Sequence, residues 1–345
     1  MKRIQYYVTL AITIMFLVAC SDRVDLSDDS MKVQMKLVGK NVVPEKTIIT
    51  DNKKIKLAVI PKGTTHKYWN SVKAGAEQAC KDLGVEMVWK GPLKESDRAG
   101  QIVILQQFGT SDDIDGIVIA PLDENALLRP IQHALRMGKP VVLVDSPLNG
   151  KPGVDYVSHV ATDNVKAGEL GAKELLKYMG GPNKVVLMRY LEGSQSTLAR
   201  EKGFLDVMHN TPGVDILVDN RYGGATSGEV KISALNLIDK IKEADGIYAP
   251  NEPSSIGVML ALEQVRLAGK KHFVGGDAAL PLLRGLRKGE IDALIVQNPY
   301  KMGYEGVKLM VEFLHGKPVP AKINTEVAVV TKENIDSPKI QEFFK

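Results

Sequence analysis

Asp145, Asn251 and Asp277 each stand at or just beyond the end of a short apolar run: Val141-Val142-Leu143-Val144, Gly246-Ile247-Tyr248-Ala249 and His272-Phe273-Val274-Gly275. Such runs, bounded by turn residues, read as buried strands. In open parallel sheets, ligands sit outside the carboxyl ends of the strands, where these three polar groups fall. A carboxylate accepts from two neighbouring hydroxyls, and a side-chain amide both donates and accepts. Charge-assisted bonds of this kind are worth about 1.5–3 kcal/mol each. Tyr68 and Trp69, in the segment after the first apolar run, offer ring faces for the C–H face of a sugar ring. The set suits capture of a neutral polyol. Asp is also a common helix cap and turn residue. What singles out Asp145 and Asp277 is that they hold matched places in two similar stretches.

Those stretches are residues 115–121, Asp-Gly-Ile-Val-Ile-Ala-Pro, and 245–250, Asp-Gly-Ile-Tyr-Ala-Pro. Each precedes a helical segment closed by Gly-Lys (Gly138-Lys139, Gly269-Lys270) and then a strand ending in an acid (Val144-Asp145-Ser146, Gly276-Asp277-Ala278). Two copies of one α/β unit leave this order of features. If two such lobes face each other, their strand ends line one cleft.

The elements that must hold these residues alternate along the chain. Strands are expected at 56–60, 85–88, 116–120 and 141–144, and helices at 69–83, 97–108 and 126–137. The second half repeats the scheme. Its helices are expected at 165–178, 198–209, 229–242 and 255–268, and its strands at 184–188, 215–218, 246–249 and 272–275. Apolar strands alternating with helices predict a parallel sheet covered on both faces. The roughly 290 residues after position 54 exceed one comfortable core, so two domains are expected.

Other chemistries find little support. There is no Gly-rich phosphate loop, no His-Glu-x-x-His and no calcium loop of the EF-hand type. Glu192-Gly193-Ser194-Gln195-Ser196 lacks the final Gly of a nucleophile elbow. After Cys20, only Cys80 remains, which leaves no internal disulfide and no Cys-cluster metal site. No catalytic residue, cofactor or metal is expected. The formal charge of +4 carries no basic run of the nucleic-acid type.

The N-terminus reads as an export signal. Lys2 and Arg3 precede an uncharged apolar run, residues 6–19, which is too short to span a bilayer comfortably. It ends in Leu17-Val18-Ala19-Cys20, a match to a bacterial lipobox, so Cys20 is the expected lipidation site. Residues 21–54 are polar and aperiodic and read as a tether, with a short strand near 35–38 as the alternative.

From about residue 55 to the C-terminus the chain resembles the ribose-type periplasmic sugar-binding proteins, also called type 1. The likeness rests on His66-Lys67-Tyr68-Trp69 before a helix, Asp145 at a strand end, and Ser158-His159-Val160-Ala161-Thr162-Asp163-Asn164. It continues through Arg200-Glu201-Lys202-Gly203-Phe204, Asn251-Glu252, Gly275-Gly276-Asp277, and Gln297 ahead of Met302-Gly303. The resemblance implies ligand contacts at His66, Tyr68, Trp69, Asp145, Arg200, Asn251, Asp277 and Gln297, with Ser146 beside them. It departs from the pattern at two of these, since family members commonly have Asn where His66 stands and Arg where Ser146 stands. No aromatic counterpart stands near Gly224-Ala225-Thr226, so ribose itself is not expected. His159 is expected to hold the hinge backbone.

The fold so implied is α/β, two Rossmann-like doubly wound parallel-sheet lobes joined by a three-stranded hinge. The divisions are 1–20 (signal), 21–54 (tether), 55–162 plus 298–325 (lobe 1) and 163–297 plus 326–345 (lobe 2). The resemblance further implies a monomer, outside the cytoplasm, that captures a small polar ligand such as a monosaccharide. Its expected partners are an ABC permease with its ATPase, and the membrane through the lipid. A sensory receptor of the same fold, responding to a sugar or autoinducer, remains the alternative.

Overall fold

The computed structural model describes residues 54–181 and 183–344, all within one compact unit. The export signal, Cys20, the tether up to residue 53 and the alternative strand near 35–38 lie outside the described residues.

The first sheet comprises β1 (Lys56–Ile60), β2 (Glu86–Trp89), β3 (Gly116–Ile119), β4 (Val141–Val144), β5 (Ser158–Ala161) and β11 (Lys322–Asn324), in the order β11-β5-β4-β3-β1-β2. All its pairings are parallel. The second comprises β6 (Lys184–Leu187), β7 (Asp215–Val218), β8 (Gly246–Tyr248), β9 (His272–Gly276), β10 (Ala293–Gln297) and β12 (Val327–Thr331), in the order β12-β10-β9-β8-β6-β7. Here β12 alone is antiparallel, against β10. Each sheet thus repeats one doubly wound order, which matches the internal echo in the sequence. In each, the order reverses beside the first strand, and the loops that leave the strands there diverge to open a crevice.

Helices α1 (Lys67–Leu83), α2 (Arg98–Gly109), α3 (Leu128–Arg136) and α10 (Pro299–Leu314) cover the first sheet. Helices α4 (Asn164–Met179), α5 (Gln195–His209), α6 (Ser227–Asn236), α7 (Ile238–Glu243), α8 (Glu252–Gln264) and α9 (Leu280–Lys288) belong with the second, and α11 (Pro338–Gln341) ends the chain beside it. The central strands are buried on both faces, as their unbroken apolar runs require. The chain passes from one sheet to the other three times, after β5, after β10 and after β11.

Two helix pairs pack closely enough to exclude any side chain at the crossing. A Cβ on Gly303 of α10 would lie 1.9 Å from the Val72 carbonyl of α1. In the other lobe, a Cβ on Gly168 of α4 would lie 1.9 Å from the Arg200 carbonyl of α5. The same device therefore sets α1 and α5, two of the helices that carry site residues, against their neighbours.

Several elements differ from the sequence expectation. The single helix expected at 229–242 is two, α6 and α7, divided at Leu237, whose N–H turns back to Ala234. The segment 158–161, part of the stretch 158–164 that carries the family likeness and not among the expected strands, is a strand. Helix α10, not among the helices expected above, starts at Pro299, because Asn298 caps it and Pro is well placed in a first turn.

Candidate functional site

The loop leaving β1 delivers Lys62 and His66, and the first turn of α1 delivers Tyr68 and Trp69, to the cleft between the sheets. Lys62 is buried, at 1% exposure. Its ammonium lies 2.6 Å from Asp145 Oδ2 and donates to Ser196 Oγ of the opposite lobe at 3.0 Å. The Tyr68 hydroxyl donates to Asp145 Oδ1 at 2.9 Å. Trp69 Nε1 donates to Glu95 Oε1 at 2.7 Å, and His66 Nδ1 lies 3.0 Å from the same oxygen. The Tyr68 and Trp69 rings meet edge to face, 5.0 Å apart. Two aromatic rings are thereby pinned by two carboxylates.

Asp145 and Asp277 follow β4 and β9, equivalent strands of the two sheets. Both have left-handed backbones, φ 63° and 67°, a conformation that Asp tolerates better than most residues. The turn aims each carboxylate into the cleft. Asp277 accepts from Gln297 Nε2 at 2.8 Å and from the Glu252 N–H at 2.8 Å. Gln297 Oε1 is buried and has no hydrogen-bond partner.

Arg200 projects from α5 at 3% exposure. Its Nε donates to Asn164 Oδ1 at 2.8 Å and its Nη1 to the Pro250 carbonyl at 2.9 Å. It thus ties together α5, the start of α4 and the loop after β8. Asn251 caps α8 by accepting from the Ser254 N–H at 3.3 Å. The Glu252 carboxylate crosses to the other lobe and accepts from the N–H groups of Lys67 and Tyr68, at 3.0 and 2.9 Å. At the cleft mouth, Arg98 donates to the Glu192 carbonyl at 2.6 Å and Gln195 to Glu124 at 2.7 Å.

Burial pushes the Asp145 carboxyl up, but the Lys62 ammonium, Arg200 and the Tyr68 bond more than offset it and hold it below the usual range. Glu95 behaves alike: His66 outweighs the desolvation and keeps the carboxyl low. Desolvation lowers His66, yet Glu95 raises it further. Burial dominates at Asp277 and Glu252, whose carboxyls are raised despite Arg200 and the backbone donors. One wall of the cleft therefore consists of matched ion pairs, and the other of carboxylates short of compensating charge.

Of the residues expected from the sequence, the structure gathers His66, Tyr68, Trp69, Asp145, Arg200, Asn251, Asp277 and Gln297 around one cavity. Ser146 is not on its wall; buried behind it, the hydroxyl donates to Asp145 Oδ2 at 3.2 Å. The same wall includes Lys62, Glu95, Ser194, Ser196, Thr197 and Glu252, which sequence reasoning did not place there. The resemblance implies a cation at position 146; in the structure a cation reaches Asp145 from a different loop, as Lys62. No residue of 224–226 lines the cavity, and Tyr190, which follows β6, is fully buried and is not on the wall either. Its hydroxyl donates to the Ala225 carbonyl at 3.3 Å and lies beside Glu95.

His159 sits on β5 beneath Asp145, opposite Lys322 in register, with Nε2 unpartnered. Desolvation and Lys322 push its pKa from 6.5 down to about 4. The folded protein therefore holds His159 neutral where the unfolded chain protonates. This stabilisation is complete above pH 6.5 and is lost as pH falls through about 4. It is worth on the order of 3 kcal/mol. His159→Gln should flatten the fall in unfolding free energy between pH 6.5 and 4.5. Identical pH slopes for parent and variant in denaturant titrations would refute the assignment.

Comparison with known proteins places these features in a family. A model of the periplasmic binding protein domain matches residues 57–318. The D-allose-binding periplasmic protein of Escherichia coli is 26% identical over 269 residues, covering 76% of this chain and 86% of its own length. The ribose import binding protein of Bacillus subtilis is 26% identical over 271 residues, covering 77% and 84%. Among solved structures, the periplasmic component of an ABC-type sugar transport system from Hahella chejuensis matches with TM-score 0.77 and 33% identity, over 80% of this chain and 99% of its own. An ABC transporter solute-binding protein from Agrobacterium vitis with bound D-fucose matches with TM-score 0.79 and 31% identity, over 83% and 99%.

Proposed function

The chain belongs to the periplasmic binding protein domain family, and from that premise we propose that it captures a monosaccharide between its lobes and hands it to an ABC transporter. The observation that carries this reading is the cleft wall itself. Two left-handed aspartates from equivalent strands face one another across a ring of donors and acceptors drawn from both sheets. Asp145 and Asp277 accept from ligand hydroxyls, and Arg200, Asn251, Gln297 and Lys62 donate. His66 and Glu95 hold the rim, while Tyr68 or Trp69 backs the sugar ring. Ser146 acts through Asp145. The ligand is bound and released unchanged.

Residues 55–162 with 298–325 close as one body on residues 163–297 with 326–345, hinged at the three crossings. Cleavage before Cys20 and lipidation of its thiol tether the monomeric domain outside the cytoplasm. Cys20→Ser should shift the protein from the membrane to the soluble fraction; unchanged partition and processing would remove the anchor from the reading.

The test of function is thermal melting of the purified protein with D-allose, D-ribose, D-fucose, D-arabinose and D-tagatose. A sugar at a hundred times its dissociation constant adds about 2.7 kcal/mol, seen as a higher melting temperature. No shift with any monosaccharide would overturn the proposed ligand class.

A further inference from the structure

Helix α1 begins without a cap of its own. The backbone at His66 is extended, its side chain makes no bond to the first turn, and no acid lies in that turn. The first N–H groups of a helix have no partner inside the helix and need one from outside. Here they find Glu252, a residue 185 positions away and across the cleft. The Lys67 N–H donates to Oε1 at 3.0 Å and the Tyr68 N–H to Oε2 at 2.9 Å. A two-oxygen carboxylate on a helix N-terminus gains from charge-assisted bonds and from the helix dipole. Glu252 is 7% exposed and opens helix α8, which Asn251 caps, and its own N–H is fixed on Asp277. The carboxylate therefore belongs to a rigid part of lobe 2, while its partners belong to lobe 1.

We infer that Glu252 is an interlobe latch: closure of the cleft completes the N-terminus of α1, so Glu252 stabilises the closed state by bonding the opposite lobe, without bonding the ligand. When the lobes separate, these two bonds are lost together. Other links across the cleft remain without it, at Lys62 and Ser196, Arg98 and Glu192, and Gln195 and Glu124. Loss of the latch therefore weakens closure without abolishing it. Apparent affinity scales with the fraction of protein able to close, so a latch moves the affinity for every ligand by one factor. A ligand contact instead changes the ranking among ligands. The inference rests on the reading of the cleft as a sugar site only for its effect on affinity.

The experiment compares the parent with Glu252→Ala and Glu252→Gln, using two neutral monosaccharides that bind the parent and differ at one hydroxyl. Glu252→Ala should weaken both by the same factor, on the order of tenfold, through faster dissociation. Glu252→Gln, which keeps one acceptor oxygen, should fall between. Unequal factors for the two sugars would make Glu252 a ligand contact and overturn the latch, as would unchanged affinity for both. Amide exchange of Lys67 and Tyr68 in unliganded protein gives a readout independent of any sugar. Both amides should exchange faster in the variants, and equal rates would overturn the latch. If no monosaccharide binds the parent, the proposed function fails and the exchange comparison alone decides the latch. If Glu252→Ala does not fold, Glu252→Gln carries both measurements.

Discussion

Replacing Asp145 by asparagine is expected to weaken sugar binding about a hundredfold and to cost about 3–5 kcal/mol of stability. The carboxylate is the counter-ion of Lys62, which is almost wholly buried and lies 2.6 Å away. It also accepts from Tyr68 at 2.9 Å. Removing one member of a buried pair leaves an uncompensated charge, which is the costly case. Asn is the suitable substitute, because the left-handed backbone at this position suits Asn as well as Asp. The decisive companion is the double variant with Lys62→Met and Asp145→Asn. With both charges gone, most of the stability should return, while binding should not. Denaturant unfolding and titration calorimetry on the three proteins measure the two effects separately. A single variant as stable as the parent would show that Lys62 is not held by Asp145.

The second large effect is expected at Arg200. Arg200→Met removes the donors to Asn164 Oδ1 and the Pro250 carbonyl, leaving two polar groups unpaired around a buried site. It also removes the nearby cation that does most to offset the burial of Asp277. The Asp277 carboxyl, already raised by burial, should rise further. Affinity should therefore drop about a hundredfold at neutral pH. On acidification, residual binding should fail at a higher pH than in the parent, because Asp277 takes up its proton earlier. Arg200→Lys should recover little, since an ammonium cannot reach both acceptors in the planar fork that a guanidinium provides. Calorimetric titrations from pH 8 to 5 test both points. A parallel pH profile for parent and Arg200→Met would separate Arg200 from Asp277.

Much of this site is visible before folding because some of its residues sit where local patterns end. Asp145 and Asp277 close apolar strands in two echoing stretches, and strand ends are where an open parallel sheet binds ligands. The family likeness adds Arg200 and Gln297, whose helix and strand carry no local sign of function. Lys62, Glu95 and Glu252 illustrate the opposite case. A charged residue in a loop or at a helix start looks the same whether water or another lobe surrounds it. Glu252 carries no mark in its neighbourhood of the bonds it makes to Lys67 and Tyr68.

The alternation of apolar strands with helices, and its repetition in two halves, is written in the order of the residues, because periodic burial of one face requires periodic apolar side chains. That order settles two doubly wound lobes and places polar groups at their facing ends. It does not settle which charges meet. Lys62 and Ser196 lie 134 positions apart, and Lys67 and Glu252 lie 185 apart. Such pairs are chosen by the angle at which two finished sheets come together, and only the folded chain supplies that angle. For the same reason, the cation beside Asp145 comes from the loop after β1 and not from position 146. Any residue able to reach the buried carboxylate satisfies it, and the fold brings Lys62 there.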